Sequence, residues 1–247
     1  DQYDVFIIQG MGSRRWRVGD KLPMRQFCPH PALLHVDPFP PIIDEDLQPG
    51  DILYIPPGFP HDGITHETAL NYSVGFRGPN GRDLISSFAD YVLENDLGGE
   101  HYSDPDLTCR EHPGRVEEYE LERLRTMMID MIRQPEDFKQ WFGSFVTTPR
   151  HELDIAPAEP PYEEEEVLDA LLGGEKLSRL SGLRVLHIGD SFFVHSEQLD
   201  TTDAEALDAL CRYTSLGQEE LGSGLQNPAF VSELTRLINQ GYWYFEE

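Results

Sequence analysis

The residues best suited to chemistry are one histidine and one aspartate in separate apolar segments. His61 ends the stretch DILYIPPGFPH, in which Pro56-Pro57-Gly58 stiffens the approach and so presets the position of the imidazole. Asp1 heads the apolar run DQYDVFII, where a carboxylate is costly to bury without a partner. A metal ion bound by both side chains would supply that partner.

Short strands must position these two residues. Residues 1–81 contain the runs YDVFIIQG, RRWRVGD, DILYI and ALNYSVGFRG, bounded by glycines and prolines, which favours a sandwich or barrel. The first two runs are close enough to predict a hairpin between them. Residues 19–50 are rich in proline and are predicted to be mainly turns.

The pattern becomes helical at residue 82. Apolar residues at helical spacing predict helices in GRDLISSFADYVLEND, GRVEEYELERLRTMMIDMIRQ and PEDFKQWFGSFVT, with Pro135 suited to a helix start. A proline-rich linker follows over 147–162. We therefore predict a helical block over 82–146 whose apolar faces pack together or against a second copy.

Residues 147–247 predict a small mixed unit. A helix over 163–172 precedes the strands LRVLHIG and SFFVHS, which meet at Gly189-Asp190 in a hairpin. A helix from Thr202, capped by Thr201 or Thr202, and the helix PAFVSELTRLINQ come next. This order is typical of a winged-helix unit.

Charge limits the partners. The chain has 247 residues and a net charge of −26, which repels nucleic acid and anionic membranes and favours basic partners. From residue 151 onward, five basic residues face twenty acidic ones, so direct DNA binding by the winged helix is not expected. No apolar run is long enough for a membrane span.

Three widely spaced cysteines without a CxxC motif indicate reduced thiols and a cytoplasmic location. The chain starts at Asp1, without methionine and inside a predicted element, so we expect a fragment that lacks residues at its N-terminal side.

An aspartate on one strand and a histidine on a later one resemble two thirds of the two-His-one-carboxylate triad of non-haem iron(II) oxygenases. The first histidine of that triad lies two residues before the carboxylate, so it would precede Asp1. The segment QGMGSRRWRV also resembles JmjC oxygenases, in which a basic residue follows the first strand. Residues 1–16 and 50–76 most specifically resemble the bacterial ribosomal oxygenases, which are JmjC-type arginine hydroxylases of a large-subunit ribosomal protein.

The resemblance implies an α+β multidomain fold. Part of a double-stranded β-helix of the JmjC/cupin jelly-roll type would occupy residues 1–81, a helical dimerisation domain 82–146 and an acidic winged-helix domain 147–247. It implies iron(II) held by Asp1, His61 and an upstream histidine outside this chain, and no catalytic residue beyond these ligands. A basic ribosomal protein would be the substrate and a homodimer the assembly.

The resemblance also implies a cosubstrate site. Arg14 would hold the distal carboxylate of 2-oxoglutarate, since a guanidinium fork suits a carboxylate better than an ammonium does. Asn71 and Ser73 share one face of a later strand and are candidates for polar contacts to the cosubstrate, although ordinary strand polarity explains them equally well.

Two other functions stay open. A metal-binding cupin without oxygenase activity would share the barrel, but lacks a basic residue placed like Arg14. An inactive dimeric interaction scaffold would show no turnover. His66 is the nearest rival to His61, but no Pro-Pro-Gly turn precedes it.

Overall fold

A computed structural model describes residues 1–30, 33–112, 114–200 and 203–246 of the chain. The chain divides into two compact units, Asp1–Ile85 and Ser86–Glu247. In the described residues, no helix combines the length and apolar character that a membrane span requires.

The first unit consists of antiparallel strands. They are β1 (Asp4–Met11), β2 (Arg14–Gly19), β3 (Gln26–His30), β4 (Leu33–Val36), β5 (Pro41–Leu47), β6 (Ile52–Ile55), β7 (His61–Thr65) and β8 (Leu70–Phe76). One sheet has the order β6-β1-β8, a second the order β5-β2-β7, and β3 pairs with β4. The core side chains come from strands of the two three-stranded sheets: Val5, Ile7, Trp16, Val18, Leu53 and Ile55. The strand alternation predicted from the sequence thus generates the two inner faces of a β-sandwich.

The predicted hairpin between the first two strands is wrong. β1 pairs with β6 and β8, whereas β2 pairs with β5 and β7. The chain changes sheets at Gly12, which has φ +62 and no room for a side chain, since a Cβ would lie 2.3 Å from the Thr68 carbonyl oxygen. The turn-rich segment 19–50 also contains strands, among them β5, which pairs with β2 along its length.

The second unit is mainly helical, and α1 begins just before it. Its elements are α1 (Gly81–Glu94), α2 (Glu118–Arg133), α3 (Pro135–Thr147), α4 (Glu164–Leu172), β9 (Leu177–Arg179), β10 (Val185–Ile188), β11 (Ser191–Val194), β12 (Glu197–Leu199), α5 (Ala204–Arg212), β13 (Ser215–Leu216), α6 (Gln218–Leu221), a 3₁₀ helix (Gly222–Gln226), α7 (Pro228–Asn239) and β14 (Trp243–Phe245). β10-β11-β12 form one sheet and β13-β9-β14 another.

Two sequence predictions for this unit can be compared with its structure. The hairpin at Gly189-Asp190 is present as β10 and β11. The predicted caps Thr201 and Thr202 lie outside the described residues. α5 begins at Ala204, and the Asp203 carboxylate accepts a hydrogen bond from the Ala206 amide at 3.1 Å, as an N-cap does.

Helix α3 packs on the sheet of the winged-helix part. The Gly143 backbone lies so close to Phe193 that a Cβ would be 2.5 Å from ring carbons of that fully buried side chain. The Thr147 hydroxyl accepts a hydrogen bond from the Ser196 amide at 3.0 Å. These contacts join α3 to β11 and to the turn before β12, while the division at residues 146 and 147 stays a prediction.

Candidate active site

The Pro-Pro-Gly turn connects Asp1 to His61. Gly58 adopts φ +83, and its amide donates a hydrogen bond to the Asp1 carbonyl at 2.8 Å. β7 begins at His61 itself, opposite Val18 of β2. The His61 Nε2 atom consequently lies 3.3 Å from the Asp1 Oδ2 atom, although sixty positions separate the two residues.

Asp1 differs from the sequence expectation in its surroundings. β1 starts at Asp4, so Asp1 precedes the strand, and its side chain is 40% exposed. Its carboxylate nevertheless lies beside His61.

The His61 ring is oriented by its other nitrogen. Nδ1 is 3.0 Å from the Phe59 carbonyl oxygen, which fixes Nδ1 as the donor and leaves the Nε2 lone pair facing Asp1. Burial lowers the pKa of His61, so the imidazole is neutral near pH 7. Neutral imidazole and ionised carboxylate are the forms that bind divalent metals.

These two side chains fit part of an iron site. Nitrogen and carboxylate oxygen donors converge as two members of a facial triad would. Within the described ranges, no third histidine, cysteine, aspartate or glutamate joins them in a metal-binding group. The assignment of Asp1 and His61 as ligands, with an upstream histidine, stays a prediction.

Arg14 lies on the same face of β2 as Val18, the residue that pairs with His61. Its Nη1 donates to the Asn71 Oδ1 at 2.8 Å and its Nη2 to the Gly63 carbonyl at 3.1 Å. The guanidinium carbon lies 4.7 Å from the centre of the Trp16 ring, a cation–π contact. Three strands therefore fix the orientation of this cation.

The other arginines of β2 differ from Arg14 in their partners. Arg15 forms a two-pronged ion pair with Asp44, and Arg17 forms one with Asp62. Among the described residues, Arg14 has no carboxylate within ion-pair distance. Two of its five N–H groups are engaged, so it retains donors for an anionic ligand.

Strand register places Asn71 and Ser73 on the inner face. Asn71 lies opposite Gln9 and Ser73 opposite Ile7, whose side chains are both buried. Directly opposed residues of an antiparallel pair point to the same side of the sheet. Asn71 contacts Arg14, and Ser73 is exposed on the same face. Their contact with a cosubstrate stays a prediction.

The sequence reasoning missed Gly63. It lies within β7 opposite Trp16, and a Cβ there would meet three atoms of the Arg14 guanidinium at 2.7–3.0 Å. A glycine inside the strand HDGIT was an available signal, because such glycines mark close approach of another group.

The fold and this site define the class of the protein. Residues 1–84 match the JmjC domain family, and residues 130–244 match the ROXA-like winged helix. The α+β architecture predicted from the sequence, a β-helix part followed by helices and a winged helix, is thereby confirmed.

Relatives identify the family more closely. The chain is 61% identical over 246 residues to the Escherichia coli protein named ribosomal protein uL16 3-hydroxylase, covering all of this chain and 66% of that protein. It is 28% identical over 240 residues to a probable ribosomal oxygenase of Haemophilus influenzae, covering 87% of this chain and 57% of that protein. The chain belongs to the bacterial JmjC-type ribosomal oxygenases.

Solved structures agree with this assignment. The X-ray structure of E. coli ycfD superposes with a TM-score of 0.95 at 60% identity, covering all of this chain and 66% of that one. A structure of the ribosomal oxygenase YcfD in complex with cobalt and 2-oxoglutarate gives 0.92 at 57% identity, covering all of this chain and 65% of that one. The chain spans about two thirds of the length of these proteins.

Proposed function

We propose that the full-length protein is an iron(II)- and 2-oxoglutarate-dependent oxygenase that hydroxylates an arginine side chain of a basic large-subunit ribosomal protein. The observation that carries the proposal is Arg14, a half-buried cation without a carboxylate partner in the described residues, on the same inner face as the Asp1–His61 pair. The names of the E. coli relative and of its cobalt and 2-oxoglutarate complex support it.

In this proposal the two ends of 2-oxoglutarate would have separate partners. Val18, opposite His61, lies four residues along β2 from Arg14, about 13 Å at the usual strand rise. Arg14 would bind the distal carboxylate, while Asp1 and His61 would hold the metal beside the 2-oxo end. Asn71 and Ser73 would add polar contacts between them.

The cofactors supply the oxidation. With iron(II) bound, O₂ and 2-oxoglutarate give CO₂ and succinate, one oxygen atom entering succinate and the other the C–H bond of the substrate. The residues of this chain orient the cosubstrate and keep the His61 Nε2 lone pair directed at the metal position.

Charge supports a basic protein substrate. A net charge of −26 attracts a cationic ribosomal protein and steers its encounter at low salt. The excess of acidic residues from 151 onward likewise argues for protein docking by the winged helix and against DNA binding. Cytoplasmic location follows from such a substrate and from the free cysteines.

Mass spectrometry of ribosomal proteins incubated with the full-length protein, iron(II), 2-oxoglutarate and O₂ tests this function. We expect one added oxygen on an arginine of one ribosomal protein. The modification should disappear with His61→Ala, weaken strongly with Arg14→Ala and persist with His66→Ala. No added oxygen together with no consumption of 2-oxoglutarate would refute the proposal and favour the cupin or scaffold alternative.

The proposal includes a homodimer formed through α1 and α2. Leu93 and Met128 are 78% and 71% exposed on these amphipathic helices, and such large apolar side chains favour an interface. Light scattering should give a dimer mass for the protein and a monomer mass for Met128→Glu. Leu172→Glu, at an exposed site on α4, is the matched control and should stay dimeric. A monomer mass for the unaltered protein would refute it.

A further inference from the structure

The position of the Arg14 guanidinium group depends on the absence of a side chain at residue 63. A Cβ on Gly63 would lie 2.7 Å from the Arg14 Nε, 2.9 Å from its Nη2 and 3.0 Å from its Cζ, at or below the shortest contacts that real Cβ atoms make. The guanidinium therefore occupies the volume that any other residue at 63 would fill. The Nε atom is buried in this position.

Three further contacts hold the guanidinium in that volume. The Gly63 carbonyl and the Asn71 Oδ1 each accept a hydrogen bond, and the Trp16 ring lies against the guanidinium. An arginine side chain carries several rotatable bonds, and restricting them before binding lowers the entropy lost on binding. The arrangement thus resembles a preorganised carboxylate receptor more than a mobile surface cation.

We propose that Gly63 is a positioning residue that determines cosubstrate affinity: its missing side chain lets Arg14 lie across β7 with its free N–H groups directed at the distal carboxylate of a 2-oxo dicarboxylic acid. This inference rests on the proposed function and assigns to Gly63 and Asn71 the task of holding Arg14. Gly63 acts through Arg14 alone, and the Asn71 Oδ1 acts through Arg14 in addition to the proposed contact of Asn71 with the cosubstrate, so the loss of either alters cosubstrate binding more than the chemical step.

Gly63→Ala is expected to preserve the fold. Its backbone does not adopt a positive φ, and the atoms that an added Cβ would meet belong to the end of a flexible side chain. Arg14 must then swing away, losing its bond to the Gly63 carbonyl and its contact with Trp16. The loss of one or two charge-assisted hydrogen bonds predicts about 10- to 100-fold weaker binding of 2-oxoglutarate.

Calorimetric titration of 2-oxoglutarate into the full-length protein loaded with cobalt(II) measures the affinity for 2-oxoglutarate directly, without turnover. Gly63→Ala should weaken binding by that factor, while Gly78→Ala, where nothing lies within 4 Å of an added Cβ, should bind as the unaltered protein does. Steady-state kinetics with iron should show the loss in KM for 2-oxoglutarate, with kcat at saturation nearly unchanged.

A double-mutant cycle separates positioning from a general structural effect. In an Arg14→Lys background the guanidinium group is absent, so an added Cβ at residue 63 displaces less. The loss of 2-oxoglutarate affinity caused by Gly63→Ala should therefore be severalfold smaller. An equal penalty in both backgrounds would overturn the inference. If Gly63→Ala does not fold, Asn71→Ala removes the second restraint without adding atoms. It should weaken binding about tenfold, and by less in the Arg14→Lys background, which separates loss of the restraint from loss of a direct contact; unchanged binding, or an equal penalty in both backgrounds, would overturn the inference.

The outcomes distinguish the positioning role of Gly63 from the proposed function of the protein. If Arg14→Ala loses 2-oxoglutarate but Gly63→Ala retains full affinity, the positioning role fails and the proposed function stands. If the unaltered protein does not bind 2-oxoglutarate, or Arg14→Ala binds it equally well, both fail.

Discussion

Gly143→Ala tests the packing of α3 on the winged-helix sheet. In an exposed helix, alanine in place of glycine stabilises by about 1 kcal/mol. At this position the added Cβ would lie 2.5 Å from ring carbons of Phe193, a side chain that is 0% exposed. Overpacking of this kind costs about 1–3 kcal/mol. We take the upper half of that range because the contact is with a rigid ring.

The net expectation is a loss of about 1–2 kcal/mol of unfolding free energy. For a chain of this length this corresponds to a midpoint lowered by about 2–8 °C. Thermal unfolding followed by tryptophan fluorescence reports on the region, since Trp141 lies in the same helix. Gly81→Ala is the control, because nothing lies within 4 Å of a Cβ at that helix start; its midpoint should change little.

A second substitution tests whether the Phe193 ring causes the loss of stability in Gly143→Ala. Phe193→Leu opens space beside Gly143, so the cost of Gly143→Ala should fall in that background. A midpoint that is unchanged or raised by Gly143→Ala, or a cost that is the same with and without the Phe193→Leu substitution, would refute the packing of α3 on β11.

The metal and cysteine chemistry gives two more predictions. His61→Ala should weaken cobalt(II) binding by the full-length protein about 100-fold or more, since a ligand is lost, whereas His66→Ala should not; equal affinities on calorimetric titration would contradict the ligand assignment. Cys211 should react with iodoacetamide about 100-fold more slowly at pH 8 than exposed Cys28 and Cys109, because burial raises its thiol pKa to about 11 and few thiolates form. Its rate should rise steadily as the pH approaches 11, and comparable labelling of all three at pH 8, read by peptide mass spectrometry, would contradict that environment.

Part of the site could be inferred from local sequence. The stiff Pro56-Pro57-Gly58 turn made His61 a candidate, and the resemblance to non-haem iron(II) oxygenases then singled it out as a ligand. The two-residue period of a strand predicted that Asn71 and Ser73 share one face. The register of β8 on β1, in which they lie opposite Gln9 and Ile7, agrees with this prediction. Such patterns are short-range, so they can be read without knowing the neighbours of a strand.

Other parts could not be inferred in this way. The first residue of β1, Asp4, is one of them, because strand propensity does not fix the exact start of a strand. The hairpin prediction failed because the apolar pattern of a strand tells which face is buried and not which strand lies beside it. Sheet partners here are separated by tens of residues, as with β1 and β8.

The sequence by itself determined the order of β-rich, helical and winged-helix segments, the acidic charge and the chemical types of the site residues, because all of these are properties of composition and local spacing. Only the tertiary structure decided that Asp1 meets His61 at 3.3 Å and that Arg14, alone among the arginines of its strand, lies over Gly63 with no carboxylate partner in the described residues. Those contacts join residues roughly fifty to sixty positions apart, and their distances are set by sheet register and close packing across strands.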